Sequence, residues 1–417
     1  MSVQGTDGKH RLVIPAPGHF HAALAMRRRH PRLDDTVHVY APEGPEVRAF
    51  LALVESFNTR AEAPTRWRLV TYVGPDWLAR ATAEKAGDIA IVAGRNAGKA
   101  ALIRRLHEAG FAVLADKPML TDAVELPHLE TVFAGPPPLI ELMADRHAPS
   151  GRVLAAISGA PEVFGQWRRE DGQPAIELKS THHLYKVVNG APLVRPPWYF
   201  DVDVQGEGIM DVTTHMVDKA QGLAPGALEL ISARQWPTQV PRDVFAAVTG
   251  LADFPPELAP HVEADELALL CNAAIAFTAG GVPVDLEALW GLREAPGGDD
   301  SSYATLRGTR ATARVVSGPE TGGETRISLH AVADEAIDPS ALAVALGDLA
   351  HAIPVADGYR IEIAAAARSG SEEHFFMVLE QFLDALDNGA ALSGEAERCL
   401  AKYRLLTAAK ALSHRDA

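Results

Sequence analysis

Leu12-Val13-Ile14-Pro15-Ala16-Pro17-Gly18-His19-Phe20-His21 reads as a short apolar strand, a tight turn and the opening of a helix. A strand feeding a helix through a glycine-containing turn is how a dinucleotide-binding sheet begins. Gly18 can bring backbone close to a pyrophosphate, and the helix behind it, predicted over 20–29 and stopped by Pro31, would offer free N–H groups and a positive dipole end. Ala16 stands where the first glycine of that fingerprint belongs and His21 where the third does. His19 and His21 are two apart, the spacing of one strand face and not of one helix face, so no shared metal is expected at a helix start.

Outward from this turn the chain keeps alternating between apolar runs and helical stretches. Strands are predicted at 37–40, 69–72, 89–93, 112–115 and 139–143, with a helix over 99–109 ended by Gly110. That alternation is the pattern of a parallel sheet covered by helices. After about residue 150 it gives way to paired strands with tight turns: 267–278 and 284–290 around 279–281, then 303–307 and 311–316 around 308–309. These predict an antiparallel sheet. Phe375, Val378, Leu379, Phe382, Leu383 and Leu386 recur at helical spacing and predict a core-facing stripe, and 296–300 reads as a turn. The expected class is therefore α/β followed by α+β, with one domain over 1–150 and a second over 151–417.

Composition bounds the function. The 417 residues are 47% hydrophobic and 22% charged, which suits two folded domains. With 39 basic against 54 acidic residues the net charge is −15, which argues against a nucleic-acid partner. No apolar run is long enough to span a bilayer, and the polar segment 1–10 does not read as a signal peptide, so a cytoplasmic location is expected. Cys271 and Cys399 have neither metal-ligand nor redox spacing.

Three further segments carry chemistry. Glu43, after the second strand, is placed to accept hydrogen bonds from a ribose diol, and no arginine stands beside it for a 2′-phosphate, which favours NAD over NADP. Gly94-Arg95-Asn96-Ala97-Gly98-Lys99-Ala100 fails as a nucleotide phosphate loop: Ala93 stands where the pattern needs glycine and Ala100 where it needs a hydroxyl. Asp116-Lys117-Pro118 delivers a lysine to the carboxyl edge of the sheet, where ligands of such folds bind. In the second half, the Gly206 to Asp218 segment sets Asp211 four residues before His215, with Asp218 a further step along the same predicted helix face. A carboxylate beside an imidazole suits a general base, and two carboxylates with a histidine could instead hold a metal.

Together these segments resemble the glucose-fructose oxidoreductase / inositol dehydrogenase (Gfo/Idh/MocA) family over nearly the whole chain. The Glu-Lys-Pro signature of that family is matched by Asp116-Lys117-Pro118, and its glycine-Asp-His-Asp signature by the segment holding Asp211, His215 and Asp218. Arg195-Pro196-Pro197-Trp198-Tyr199-Phe200-Asp201 resembles its substrate-bordering stretch, and the helices expected from Glu373 and from Gly394 its C-terminal pair. Pro17 to His21, Tyr40 to Pro45 and His182-His183 resemble a subgroup with its own C-terminal domain type. Thr213 departs from the pattern, where a glycine is common.

The resemblance implies a Rossmann domain, an open antiparallel sheet whose outer face makes a dimer or tetramer, a nicotinamide cofactor and a carbohydrate-like small-molecule substrate. His215 would take the hydroxyl proton, with Lys117 keeping it neutral and stabilising the alkoxide, and Asp211 binding substrate or orienting His215. Gly18, His19, Phe20, Glu43, Arg95, Asn96 and Lys117 would lie by the cofactor. Arg146, His182, His183, Tyr185, Trp198 and Tyr199 would contact the sugar. No metal is expected. Three other readings stay open: an NAD-dependent enzyme cleaving glycosides through transient oxidation, a Rossmann-scaffold binding protein without catalysis, and a metal-dependent hydrolase.

Overall fold

The computed structural model describes residues 8–169, 172–188, 191–293, 300–333, 335–388 and 394–415. Of the polar segment 1–10 only 8–10, and of the turn 296–300 only Asp300, are among them. The chain forms two compact units, one of 1–144 with 370–403 and the other of 145–369 with 404–417.

In the first unit, β1 (Leu12–Pro15), β2 (Thr36–Ala41), β3 (Arg68–Val73), β4 (Ile89–Val92), β5 (Ala112–Asp116) and β6 (Leu139–Leu142) form one sheet in the order β3-β2-β1-β4-β5-β6, parallel throughout. This is the doubly wound order, whose direction reverses between β1 and β4 and opens a crevice at their carboxyl ends. β1, β4, β5 and β6 are buried along their whole length, which is why β1 and β4 read as unbroken apolar runs, with charged residues only at Asp116 of β5 and Glu141 of β6.

The single cut near residue 150 differs from these units in where 370–403 belongs. Phe375, Val378, Leu379, Phe382 and Leu383 of the helix Ser371–Asn388 are buried in one cluster with Leu12, Ile14, Val39 and Phe50. Each such side chain contributes about 1.5–3 kcal/mol, so the stripe finds its core beside the first sheet although it lies more than 300 residues away in sequence.

His10 ties the same elements. Its Nδ1 meets Asp88 and its Nε2 lies 2.9 Å from Asp387, with the residue 6% exposed. The hydrogen bond to Asp88 above all, opposed by burial, raises the imidazole pKa from its ordinary value. A proton held more tightly in the folded chain stabilises it below about pH 6.5, and this contribution is lost as pH rises through the raised folded value. Between about pH 6 and about pH 8.5 the melting temperature should fall more for the native chain than for His10→Gln. Parallel curves would mean that the ring is not protonated in the native state.

In the second unit, β7 (Ile176–Tyr185), β10 (Leu228–Val240), β12 (Glu266–Ala279), β13 (Val282–Arg293), β14 (Ser301–Arg307), β15 (Ala311–Ser317), β16 (Arg326–Ala331), β17 (Ala350–Val355) and β18 (Gly358–Ile363) run in the order β10-β12-β13-β7-β14-β15-β16-β18-β17. The short strands β8 (Val187–Val188) and β9 (Ala191–Pro192) pair with each other, and β11 (Val262–Glu263) with β12. Every pairing is antiparallel except that of β7 with β13. The expected hairpin closes with Ala279 opposite Val282 around Gly280-Gly281. Among the described residues no helix is long and apolar enough to cross a membrane.

Candidate active site

In the first unit, the turn after β1 and the turn after β4 lie against each other. A Cβ on Gly18 would stand 3.2 Å from Gly94 Cα, and one on Gly94 would stand 2.6 Å from the Ala16 carbonyl oxygen. Glycine at both positions is what allows this approach. Ala16 holds the left-handed conformation of the missing first glycine, at φ 42°. The amides of Gly18 and His19 both donate to the Ala93 carbonyl, at 3.0 and 3.1 Å, so they are not turned to an external phosphate as the sequence suggests. The helix behind them is Helix His21–Leu24 alone, so its dipole is that of a single turn.

Around this crevice edge Glu43 is exposed, Phe20 is 47% exposed and Arg95 donates to Glu46 at 2.9 Å. Asn96 instead turns inward. It is buried and accepts from Lys99 Nζ at 2.6 Å; the same ammonium lies 3.2 Å from the Asp116 carbonyl oxygen. Burial pushes the Lys99 pKa down to about 8. Sequence reasoning dismissed Lys99 with the failed phosphate loop, yet it braces the backbone immediately before Lys117.

Lys117 follows the last residue of β5 and is half-buried, with a cis peptide to Pro118. The Met119 amide donates to Tyr403 Oη at 2.7 Å, and that hydroxyl donates to Glu141, which also receives Lys402 Nζ. Glu141, Lys402 and Tyr403 are all fully buried. No local motif announces this network, because its members are some 260 residues apart.

His19 and His21 do share a partner. Their Nδ1 atoms stand 3.1 and 3.0 Å from the two Asp116 carboxylate oxygens, and their rings meet edge to face at 4.0 Å. The helix begins at His21, so helical spacing does not separate the pair. Asp116 is buried; burial opposes its ionisation, but the His21 charge above all, with the His21 hydrogen bond and the charge of His19, holds it well below the usual carboxylate range. Burial, with His21 beside it, holds His19 below its ordinary value.

In the second unit, a pocket of about 410 Å³ is lined by His215, His182, Asp145, Asp300, Ser180 and Lys219 among others. The volume suits a small polar ligand. His215 lies on the helix Thr213–Leu223, with Nδ1 3.2 Å from Asp145. Asp211 is not on that helix. It precedes it at φ −100°, ψ −99°, and its carbonyl caps the first turn by accepting from the Thr214 amide and hydroxyl at 3.2 and 2.6 Å. The preceding glycine is steric: a Cβ on Gly208 would stand 2.6 Å from the Cys271 carbonyl carbon. The buried Thr213 hydroxyl is satisfied by the Ile209 carbonyl, which accommodates the departure from glycine.

The expected sugar contacts divide. His182 faces the pocket, its Nε2 2.8 Å from Ser180 Oγ and its Nδ1 3.0 Å from Asp300. Asp300 also receives Lys186 Nζ at 2.7 Å and the His183 amide at 3.2 Å. Burial resists its charge, but His182 and Lys186 outweigh it and hold the carboxyl far below its ordinary range. Arg146 makes a two-point clamp on buried Asp218, at 2.9 and 2.7 Å. Tyr185 lies under the Arg293 guanidinium at 4.9 Å. Trp198 and Tyr199 are 8% and 9% exposed, with Arg195 4.5 Å over the Tyr199 ring. Neither offers an open face to a pyranose; both pack. Asp145, Asp300, Ser180 and Lys219 were not anticipated, Asp300 having been read as part of a turn.

The family model described as "Putative oxidoreductase C terminal domain" matches residues 153–414, more than half of the chain. The chain belongs to the Gfo/Idh/MocA oxidoreductase family. The crystal structure of a "putative oxidoreductase from Parabacteroides merdae" is 34% identical over 100% of both chains, with a TM-score of 0.94. Levoglucosan dehydrogenase in complex with NADH and levoglucosan shares the fold at 16% identity, 98% coverage of both chains and a TM-score of 0.63. A 3-ketoreductase from Actinomadura kijaniata in complex with NADP does so at 15% identity, covering 97% of this chain and 98% of its own, at 0.58. A search of curated proteins found no match.

Proposed function

We propose that this family member is a dehydrogenase that oxidises a hydroxyl of a sugar, polyol or glycoside in the cytoplasm, using NAD in preference to NADP. The observation that carries the reading is the second-unit pocket, lined by His215 and His182 with two carboxylates, several serine hydroxyls and two lysines. Such a lining matches a substrate rich in hydroxyl groups, each of which both donates and accepts.

The residues of the first unit fit a nicotinamide dinucleotide. The crevice lies at the order reversal of the sheet, two glycines let its turns approach each other closely, and Glu43 stands exposed after β2. In this reading Glu43 binds the ribose hydroxyls and Arg95 faces the phosphates, a task the engaged amides of Gly18 and His19 leave to a side chain. Gly18, His19 and Phe20 border the cofactor, while Asn96 acts through Lys99. The nicotinamide, when bound, supplies the hydride acceptor. His215 accepts the hydroxyl proton, Lys117 donates to the substrate oxygen as charge develops there, and Asp211 orients His215 or the substrate. His182 and His183 hold the sugar, while Arg146 acts through Asp218, and Tyr185, Trp198 and Tyr199 shape the wall behind it. Self-association through the outer face of the large sheet belongs to the same reading.

Thermal shift tests the cofactor. NAD or NADH at about 100 times its Kd stabilises by about 2.7 kcal/mol, a rise of several degrees. Glu43→Gln should reduce the rise with NAD and leave a weaker response to NADP unchanged. No shift with NAD, NADH, NADP or NADPH would overturn the reading in favour of a binding protein without the cofactor.

A further inference from the structure

His21 and Asp116 take no part in the chemistry proposed above, and together with His19, which borders the cofactor there, they have the composition of a metal site. We propose that His19 Nδ1, His21 Nδ1 and the Asp116 carboxylate bind one borderline divalent cation of the Zn²⁺ or Co²⁺ type, with solvent completing its coordination. Two imidazoles and one carboxylate are a donor set suited to such ions and poorly suited to Mg²⁺ or Ca²⁺, which favour all-oxygen shells.

Geometry supports this. The three donor groups each offer a ligand atom, and these atoms lie within 4.8 Å of one another. Bonds of about 2.0–2.2 Å arranged tetrahedrally need donors about 3.4 Å apart. The two N···O separations, 3.1 and 3.0 Å, are already near that edge. Small rotations about the histidine and aspartate side-chain bonds would bring the atoms around a common centre.

Hydrogen bonding alone accounts for only part of the cluster. His21 Nδ1 makes a proper hydrogen bond to Asp116. His19 Nδ1 is shut off from solvent and has no hydrogen-bond partner among the described residues, because the Asp116 oxygen 3.1 Å away lies off its hydrogen-bonding direction. A buried ring nitrogen left without a partner costs about 1–3 kcal/mol. A cation would use that nitrogen through its lone pair.

Two of the three ligands sit on elements that the fold fixes, and His19 lies in the turn that joins the helix of His21 to the first strand. Asp116 is the last residue of β5, inside the parallel sheet, and the His21 ring packs against Phe375 at 4.6 Å. Preorganisation of this kind is what distinguishes a site from a chance meeting of polar side chains. A second group, Asp201, Asp203 and His261, has similar spacing but includes an exposed carboxylate, and it serves as the internal control.

The test uses the full, untagged chain, stripped by chelator and titrated with Co²⁺ or Zn²⁺ alone, without nucleotide or substrate. One equivalent should bind, with Co²⁺ giving the intense visible absorption of a low-symmetry site. Asp116→Asn and His21→Gln should each lower affinity by more than the 10–100-fold that losing an outer-shell partner costs. Circular dichroism and melting curves check that each variant folds; should His21→Gln fail, His19→Gln gives the same reading. Absence of stoichiometric binding would overturn the proposal. So would binding that persists in the His19→Ala/His21→Ala variant, or that disappears with Asp203→Asn.

Discussion

Replacing Lys117 by Met, or His215 by Ala, should lower kcat by about 10²–10⁴-fold on the substrate identified for the native chain, under the roles proposed above. The two losses have different origins. Without the imidazole, the hydroxyl proton must leave to water as the hydride departs, so His215→Ala should be partly rescued by added imidazole and should flatten the acidic limb of the kcat/KM pH profile. Without the ammonium, the alkoxide forms unassisted, and Lys117→Met removes a purely transition-state interaction, lowering kcat and kcat/KM together. Both variants should keep the thermal shift with NADH, which separates chemistry from cofactor binding. Turnover like that of the native chain in folded variants that still bind NADH would show that these side chains do not carry the reaction.

The other large effect concerns stability. Lys402 and Glu141 are both fully buried, and breaking a buried pair strands a charge in a medium that cannot solvate it. Lys402→Met should therefore destabilise the first unit by about 3–5 kcal/mol, lowering its melting temperature by roughly 6–20 °C. Removing both charges, as Glu141→Leu with Lys402→Met, should restore much of this loss, because the strain lies in the unpaired ion and not in the missing attraction. A double variant as unstable as the sum of the singles would show that the residues do not act as a pair. Tyr403 extends the consequence to function: its hydroxyl receives the Met119 amide two residues after Lys117. Tyr403→Phe should cost less in stability than Lys402→Met, yet loosen the backbone that aims Lys117.

Local pattern was a good guide where one residue's environment follows from its neighbours. A buried parallel strand such as Ile89-Ala90-Ile91-Val92 is a continuous apolar run because both of its faces are covered, and it is legible for that reason alone. The hairpin at Gly280-Gly281 is equally local. Pattern misled where distant contacts override propensity. The helix expected over 20–29 shrinks to His21–Leu24 because the following residues are claimed from elsewhere: the Met26 carbonyl accepts from Trp67 Nε1, and Arg28 and Arg32 reach acidic groups of the helix Ser371–Asn388. Asp211 and His215, four apart, were assigned to one helix face; the turn of Gly208 against β12 delays the helix to Thr213 and leaves Asp211 outside it.

The site divides in the same way. Lys117 and His215 stand where their motifs place them, just past the end of a strand and in the first turn of a helix. Arg146, Trp198 and Tyr199 were assigned to substrate because their side-chain types suit sugars, but type does not reveal partners. The Asp218 carboxylate takes the two-point hydrogen bonding of Arg146, and packing covers the two aromatic rings.

The sequence by itself determined the order of strands and helices, the change from a parallel to a mainly antiparallel sheet, and the positions of the two signature lysine and histidine residues. These depend on periodicity and on turn chemistry, which act over a few bonds. Only the tertiary structure decided that the helix Ser371–Asn388 belongs with the first sheet, that Lys99 and Tyr403 brace the backbone on either side of Lys117, and that His19, His21 and Asp116 converge. Those outcomes depend on which buried surfaces and charges find each other across hundreds of residues, and that choice is made by the energy of the whole packed core.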